Sequence, residues 1–164
     1  MNDNKLTESE EERYAELQRI ALDLARCGDT QQLASMVYAG IPVNLSDQKG
    51  QSLLMLASYN GNLKTTRMLL DEGADVDRRN ERGQTPLGGV CFKGYLDIVQ
   101  LLVERGADIH ANNGGGMTPI RLAAMFGRQD VVNYLKSKGA KLSPLDKIIG
   151  LPAYMGSLFK GKTA

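Results

Sequence analysis

Tryptophan is absent from this chain of 164 residues, and three phenylalanines and six tyrosines hold the aromatic share to 5%. Histidine occurs once, at His110, so neither a His-based metal site nor a His-dependent nucleophile can assemble. Charge of one sign is missing too. Twenty Lys and Arg stand against 19 Asp and Glu, a formal net of +1, which excludes a polybasic nucleic-acid or membrane binder. No apolar run approaches the ~18 residues of a transmembrane helix, and mean hydropathy is -0.29. Residues Met1 to Glu12 are polar and acidic where a secretory signal would be basic and then apolar, so the expectation is a cytoplasmic chain. With only Cys27 and Cys91, no disulfide framework is available, but this length buries a core without staples.

Glycine is in excess. Eighteen occur where an average usage of about 7% would give about 12, so either the chain is loop-rich or its glycines are placed by rule. They are placed by rule. Gly28, Gly61, Gly94 and Gly127 are spaced by 33, as are Gly40, Gly73, Gly106 and Gly139, and as are Gly50, Gly83 and Gly116. The same register aligns Thr85-Pro86-Leu87 with Thr118-Pro119-Ile120, and Gly73-Ala74-Asp75 with Gly106-Ala107-Asp108.

Thr85 and Thr118 are good N-caps, each followed by Pro at the first helical position, where its missing N–H costs nothing. Each helix runs about two turns to a glycine of the first column, which suits the left-handed residue past a helix end. A second helix follows, carrying Leu96, Val99, Leu101, Leu102 and Val103 in the third repeat, and ends at the Gly-Ala-Asp turn. One such hairpin cannot bury its apolar face alone, so neighbours must stack into a continuous core.

These residues resemble the ankyrin repeat family, whose pattern combines Asp, Gly, Thr-Pro-Leu-His and Leu-Ala-Ala with a later Leu-Leu and Gly-Ala-Asp. The resemblance covers roughly residues 17 to 143 and implies an all-α solenoid of about four stacked helical hairpins with capping helices. The expected organisation is a mobile acidic N-terminus over 1–8, then a repeat domain over 9–143. Its repeats fall at about 14–46, 47–79, 80–112 and 113–143. A half-repeat cap and basic tail follow over 144–164. Ser9-Glu10-Glu11-Glu12 reads as a capping box, with Tyr14, Leu17, Ala21 and Leu24 spaced along one face behind it. At the other end, Leu151 to Met155 falls in register with Thr118 to Leu122.

The sequence departs from the family at one column. The family's His is replaced by Met55, Gly88 and Arg121, which removes the Thr-to-His hydrogen bonding that ties such repeats together. Gly88-Gly89 inside a helix costs on the order of 1 kcal/mol per glycine relative to Ala, which marks the third repeat as the weak link.

Few residues suggest chemistry. Gly156 to Thr163 formally matches a phosphate-binding P-loop, but that loop needs a strand before it and a helix after it, and only Ala164 follows. Cys27 and Cys91 lie two repeats apart, at about 10 Å per repeat, beyond the ~7 Å reach of a disulfide. Asp97 and Asp130 share a column on the outer helices with no base or nucleophile beside them, so no enzyme is expected, and no cofactor or small-molecule substrate.

What survives is a surface. The resemblance implies partner binding on a concave side made of turn tips and of the last positions of each first helix. Here those positions hold Arg26, Tyr59-Asn60, Phe92-Lys93 and Met125-Phe126, and the tips contribute Lys49, Arg79 and Arg82. Tyr59, Phe92 and Phe126 either pack across neighbouring repeats or serve a partner; aromatics and Arg supply most interface hot-spot energy. The expected function is non-catalytic binding of a protein partner with acidic and apolar side chains. The alternative is an immunity or inhibitor protein that occludes a partner enzyme.

Overall fold

A computed structural model of the chain describes residues 7–144 and Asp146, and among these the fold is all-α. It divides into two compact units, one up to Asp75 and one from Val76. Each unit holds two helical hairpins.

The first unit contains α1 (Glu8–Cys27), α2 (Thr30–Tyr38), α3 (Leu53–Tyr59) and α4 (Leu63–Asp71). Helix α1 starts earlier than the sequence predicts. The box is formed by Thr7 and Glu10, the Thr7 N–H donating to Glu10 Oε2 at 2.8 Å, and not by Ser9 and Glu12. Thr7 and Glu8 are therefore part of a capped helix start, although they lie inside the stretch expected to be mobile. Asp29 caps α2 by accepting from the Gln32 N–H (3.0 Å), and Ser52 caps α3 by accepting from that of Met55 (3.1 Å).

Helices α1 and α3 pack side by side, as do α2 and α4. Ala21, Ala25, Leu33, Leu53 and Leu69 are completely buried there. Buried Thr65 shares a hydroxyl hydrogen bond with Thr30 (2.8 Å), tying the outer helices together. The predicted apolar face of α1 is only half used: Ala21 is buried and Leu24 half-buried, while Tyr14 and Leu17 are exposed.

The second unit contains α5 (Pro86–Lys93), α6 (Leu96–Glu104), α7 (Pro119–Met125) and α8 (Gln129–Ser137), paired α5 with α7 and α6 with α8. Leu87, Val90, Ile98, Val99, Leu102 and Leu135 form its fully buried core. The turns repeat one device in both units. Asn44 Oδ1 accepts from the Asp75 N–H at 2.9 Å, and 33 residues on Asp77 accepts from that of Asp108 at 3.1 Å.

The missing family histidine has been replaced. Thr85 donates both its N–H (2.8 Å) and its hydroxyl (3.0 Å) to Oδ1 of buried Asn113, a residue of the following repeat. Gly88 makes this possible, because a Cβ there would stand 2.5 Å from Asn113 Cγ and closer still to Oδ1. At the next repeat Arg121 donates to the Gly116 carbonyl and pairs with Asp146, both at 2.8 Å. Asp146 lies 33 residues after Asn113, so the register runs on to that residue. The half-repeat expected at Leu151 to Met155 and the P-loop-like Gly156 to Thr163 lie outside the described residues.

Candidate partner-binding surface

Two first-column glycines, Gly28 and Gly94, end inner helices and admit a side chain from the next repeat. Gly28, at φ 82°, has no room for a Cβ because Asn62 fills the space, and Asn62 Nδ2 donates to the carbonyls of Ala25 (3.0 Å) and Arg26 (2.9 Å). Gly94, at φ 85°, gives way in the same manner to Arg128, whose Nε donates to the Phe92 carbonyl at 3.1 Å. The last carbonyls of α1 and α5 are thus satisfied from the neighbouring repeat, where a helix end would otherwise turn to water.

Four of the sequence-predicted binding residues lie in the first unit. Tyr59, at the end of α3, is 41% exposed, and Asn60 folds its amide back onto the Leu56 carbonyl at 2.8 Å. Arg26 is exposed but pairs with Asp23 (2.7 Å) and Asp47 (3.2 Å), so its charge is largely answered. Lys49 sits at a tip built by Asp47, whose Oδ1 accepts from the N–H groups of Lys49 (2.9 Å) and Gln51 (3.0 Å).

The other six lie in the second unit. Asn80 builds the same turn under Arg82, its Oδ1 accepting from the N–H groups of Arg82 and Gln84, both at 3.0 Å. Arg79 reaches across two tips to the carbonyls of Gly83 (2.6 Å) and Asn112 (2.5 Å), which makes it a brace between repeats. At the ends of α5 and α7, Phe92 and Phe126 meet edge-to-face, with centroids 4.3 Å apart at 75°, and both rings stay half-exposed. The contact is diagonal, because 33 residues on from Phe92 stands Met125. Lys93 places its Nζ 5.8 Å from the Tyr95 ring centroid.

Sequence reasoning missed the cleft beside this stack. Met125 lines it with Gly115, Met117, Arg121 and Asp146. Burial pushes the Asp146 carboxyl up, but the Arg121 guanidinium and the Ser143 backbone and hydroxyl outweigh it, and the net value lies below the ordinary carboxylate range. Asp146 was legible from its register with Asp47, Asn80 and Asn113. Cys91 is buried and its thiol is pushed up by desolvation alone, whereas Cys27 is exposed. Among the described residues, no three His, Cys, Asp or Glu side chains gather as metal ligands, and no helix is long and apolar enough to cross a membrane.

Comparison with known proteins agrees with this geometry. A family profile of ankyrin repeats in three copies matches residues 22–113, and a single ankyrin repeat matches residues 115–147. A Pseudomonas aeruginosa protein, itself named as an ankyrin repeat protein, is 52% identical over 46 residues, a match covering 28% of this chain and 27% of that relative. The chain thus spans about a quarter of the length of the curated relative it matches. Repeat register, paired helices and matched profiles over more than half the chain carry one conclusion: the chain belongs to the ankyrin repeat family.

Proposed function

We propose that the chain is a non-catalytic module that binds a protein partner through the ends of its inner helices and its turn tips. Ankyrin repeats are protein interaction modules, and that much follows from membership. The observation that carries the finer reading is the half-exposed Phe92 and Phe126 stack. Two rings held against each other offer a partner rigid apolar area with little rotamer entropy left to lose. Lys93 beside them, and Arg82 and Lys49 at the tips, favour acidic and apolar side chains on the partner. Arg79 and Met125 add to the contacts of the second unit, and Arg26, Tyr59 and Asn60 offer a corresponding set on the first.

The test is capture of partners from the native cell with the tagged chain, followed by affinity measurement on variants. Phe92→Ala and Lys93→Glu should each weaken the complex by about 1 to 3 kcal/mol, and Asp97→Lys on an outer helix should leave it nearly intact. If Asp97→Lys abolishes binding while the other two are silent, the partner sits elsewhere. Assaying the captured protein for an activity lost on binding separates a scaffold from an inhibitor.

A further inference from the structure

Helix α1 is longer than its repeat requires. Register with α3 assigns Ile20 to Arg26 to the repeat's inner helix, which leaves Glu8 to Arg19 as an added stretch of about 18 Å at 1.5 Å per residue. All of this stretch but half-buried Gln18 is exposed. Its apolar residues are not scattered. Leu17 precedes buried Ala21 and Ala25 at spacings of four, and Tyr14 precedes Ala21 by seven, so the face by which α1 packs continues past the end of the packing. With Ile20, it leaves three large side chains 38 to 41% exposed. An unpacked helix of three turns is marginal in water.

The surroundings of this stripe define what could cover it. Glu8, Glu10, Glu11, Glu12 and Glu16 stand against Arg13 and Arg19, a net of -3, and Arg19 is already paired with Glu16 at 2.7 Å. Pairing with the same helix of another copy would set two acidic stretches together. The complement occurs in this sequence. Residues 147–164 carry Lys147, Lys160 and Lys162 with no acidic residue, alongside Ile148, Ile149, Leu151, Tyr154, Met155, Leu158 and Phe159. At about 3.3 Å per residue, even six of those 18 residues would span the stripe.

We propose that the exposed face of α1 is a docking site for segment 147–164 of another copy of the chain. Because the two surfaces differ, the contact is heterologous, and assembly is open-ended unless its rotation closes. Sedimentation velocity of the full chain from about 1 to 300 µM in low salt should show mass rising with concentration, and 0.5 M NaCl should weaken the rise at least several-fold. Leu17→Glu, at an exposed position, should hold the chain monomeric. So should Lys160→Glu with Lys162→Glu, and adding Glu11→Lys with Glu16→Lys to that variant should restore assembly. A chain monomeric at every concentration overturns the proposal, as does assembly unchanged by Leu17→Glu or a charge swap that restores nothing.

Discussion

Replacing Gly88 by alanine should destabilise the protein, against the ordinary rule for helices. Inside α5 the exchange alone would gain about 1 kcal/mol from helix propensity. The new methyl group would occupy the space of the Asn113 carboxamide, 2.5 Å from its Cγ, so the side chain must swing away. Two buried donors of Thr85, its N–H and its hydroxyl, then lose their shared acceptor. Each stranded donor costs about 1 to 3 kcal/mol. Against the propensity gain, a net loss of about 1 to 5 kcal/mol follows. Urea unfolding followed by circular dichroism measures it, and a double-mutant cycle isolates the cause. In an Asn113→Ala background the collision is gone, and Gly88→Ala should become neutral or stabilising. Refutation would come from Gly88→Ala stabilising the wild-type chain, or from equal losses in the two backgrounds.

Removing the Asn62 amide with Asn62→Ala leaves the Ala25 and Arg26 carbonyls without their partner, so the unfolding midpoint should fall by an amount matching about 1 kcal/mol or more; an unchanged midpoint would show that water replaces it without loss. The Asp146 carboxyl titrates below its unfolded value, so its stabilisation is complete above about pH 4 and is lost as pH falls through the folded value. The stability gap between wild type and Asp146→Asn should therefore narrow from pH 6 to pH 3, and a constant gap would contradict the ion pair with Arg121. Of the two thiols, exposed Cys27 should react rapidly with Ellman's reagent and buried Cys91 only on unfolding, which equal rates would disprove.

The glycine columns and the Thr-Pro pairs made most of the architecture legible, because a left-handed helix end and a proline at the first helical position are local demands. Pro86 and Pro119 open α5 and α7 as the pattern requires, and Gly28 and Gly94 close α1 and α5. What was illegible depends on pairs distant in sequence. Gly88 read as a defect because its reason, Asn113, lies 25 residues on. Helix α1 read as packed along its length because apolar spacing shows which face is apolar but not how far a neighbour extends, and α3 has only seven residues. Ser9 and Glu12 have the same capping-box spacing as Thr7 and Glu10, so pattern alone could not rank them. At the candidate surface, the repeat register put Phe92 and Phe126 near the ends of their inner helices, and there they lie. Their diagonal contact needed coordinates, since a register of 33 would pair Phe92 with Met125.

Three of the glycines have a physical meaning that bears on binding. At Gly28, Gly88 and Gly94 an absent Cβ admits the polar side chain of the next repeat, Asn62, Asn113 or Arg128, which satisfies a helix end. These ties consume hydrogen-bonding capacity that a partner would otherwise meet at those ends. Arg79 is consumed likewise by two tip carbonyls. Within the proposed surface, then, a partner meets mainly rings, aliphatic stems and tip charges, and its hold should depend more on apolar burial than on new hydrogen bonds. A complex formed there should show a clearly negative heat-capacity change on binding and only a moderate dependence on salt. The proposed docking site on α1 differs, because five glutamates flank its stripe and salt should weaken that contact sharply. Salt dependence thus separates the two surfaces without a mutation: raising ionic strength should dissolve self-association well before it releases a partner held at Phe92.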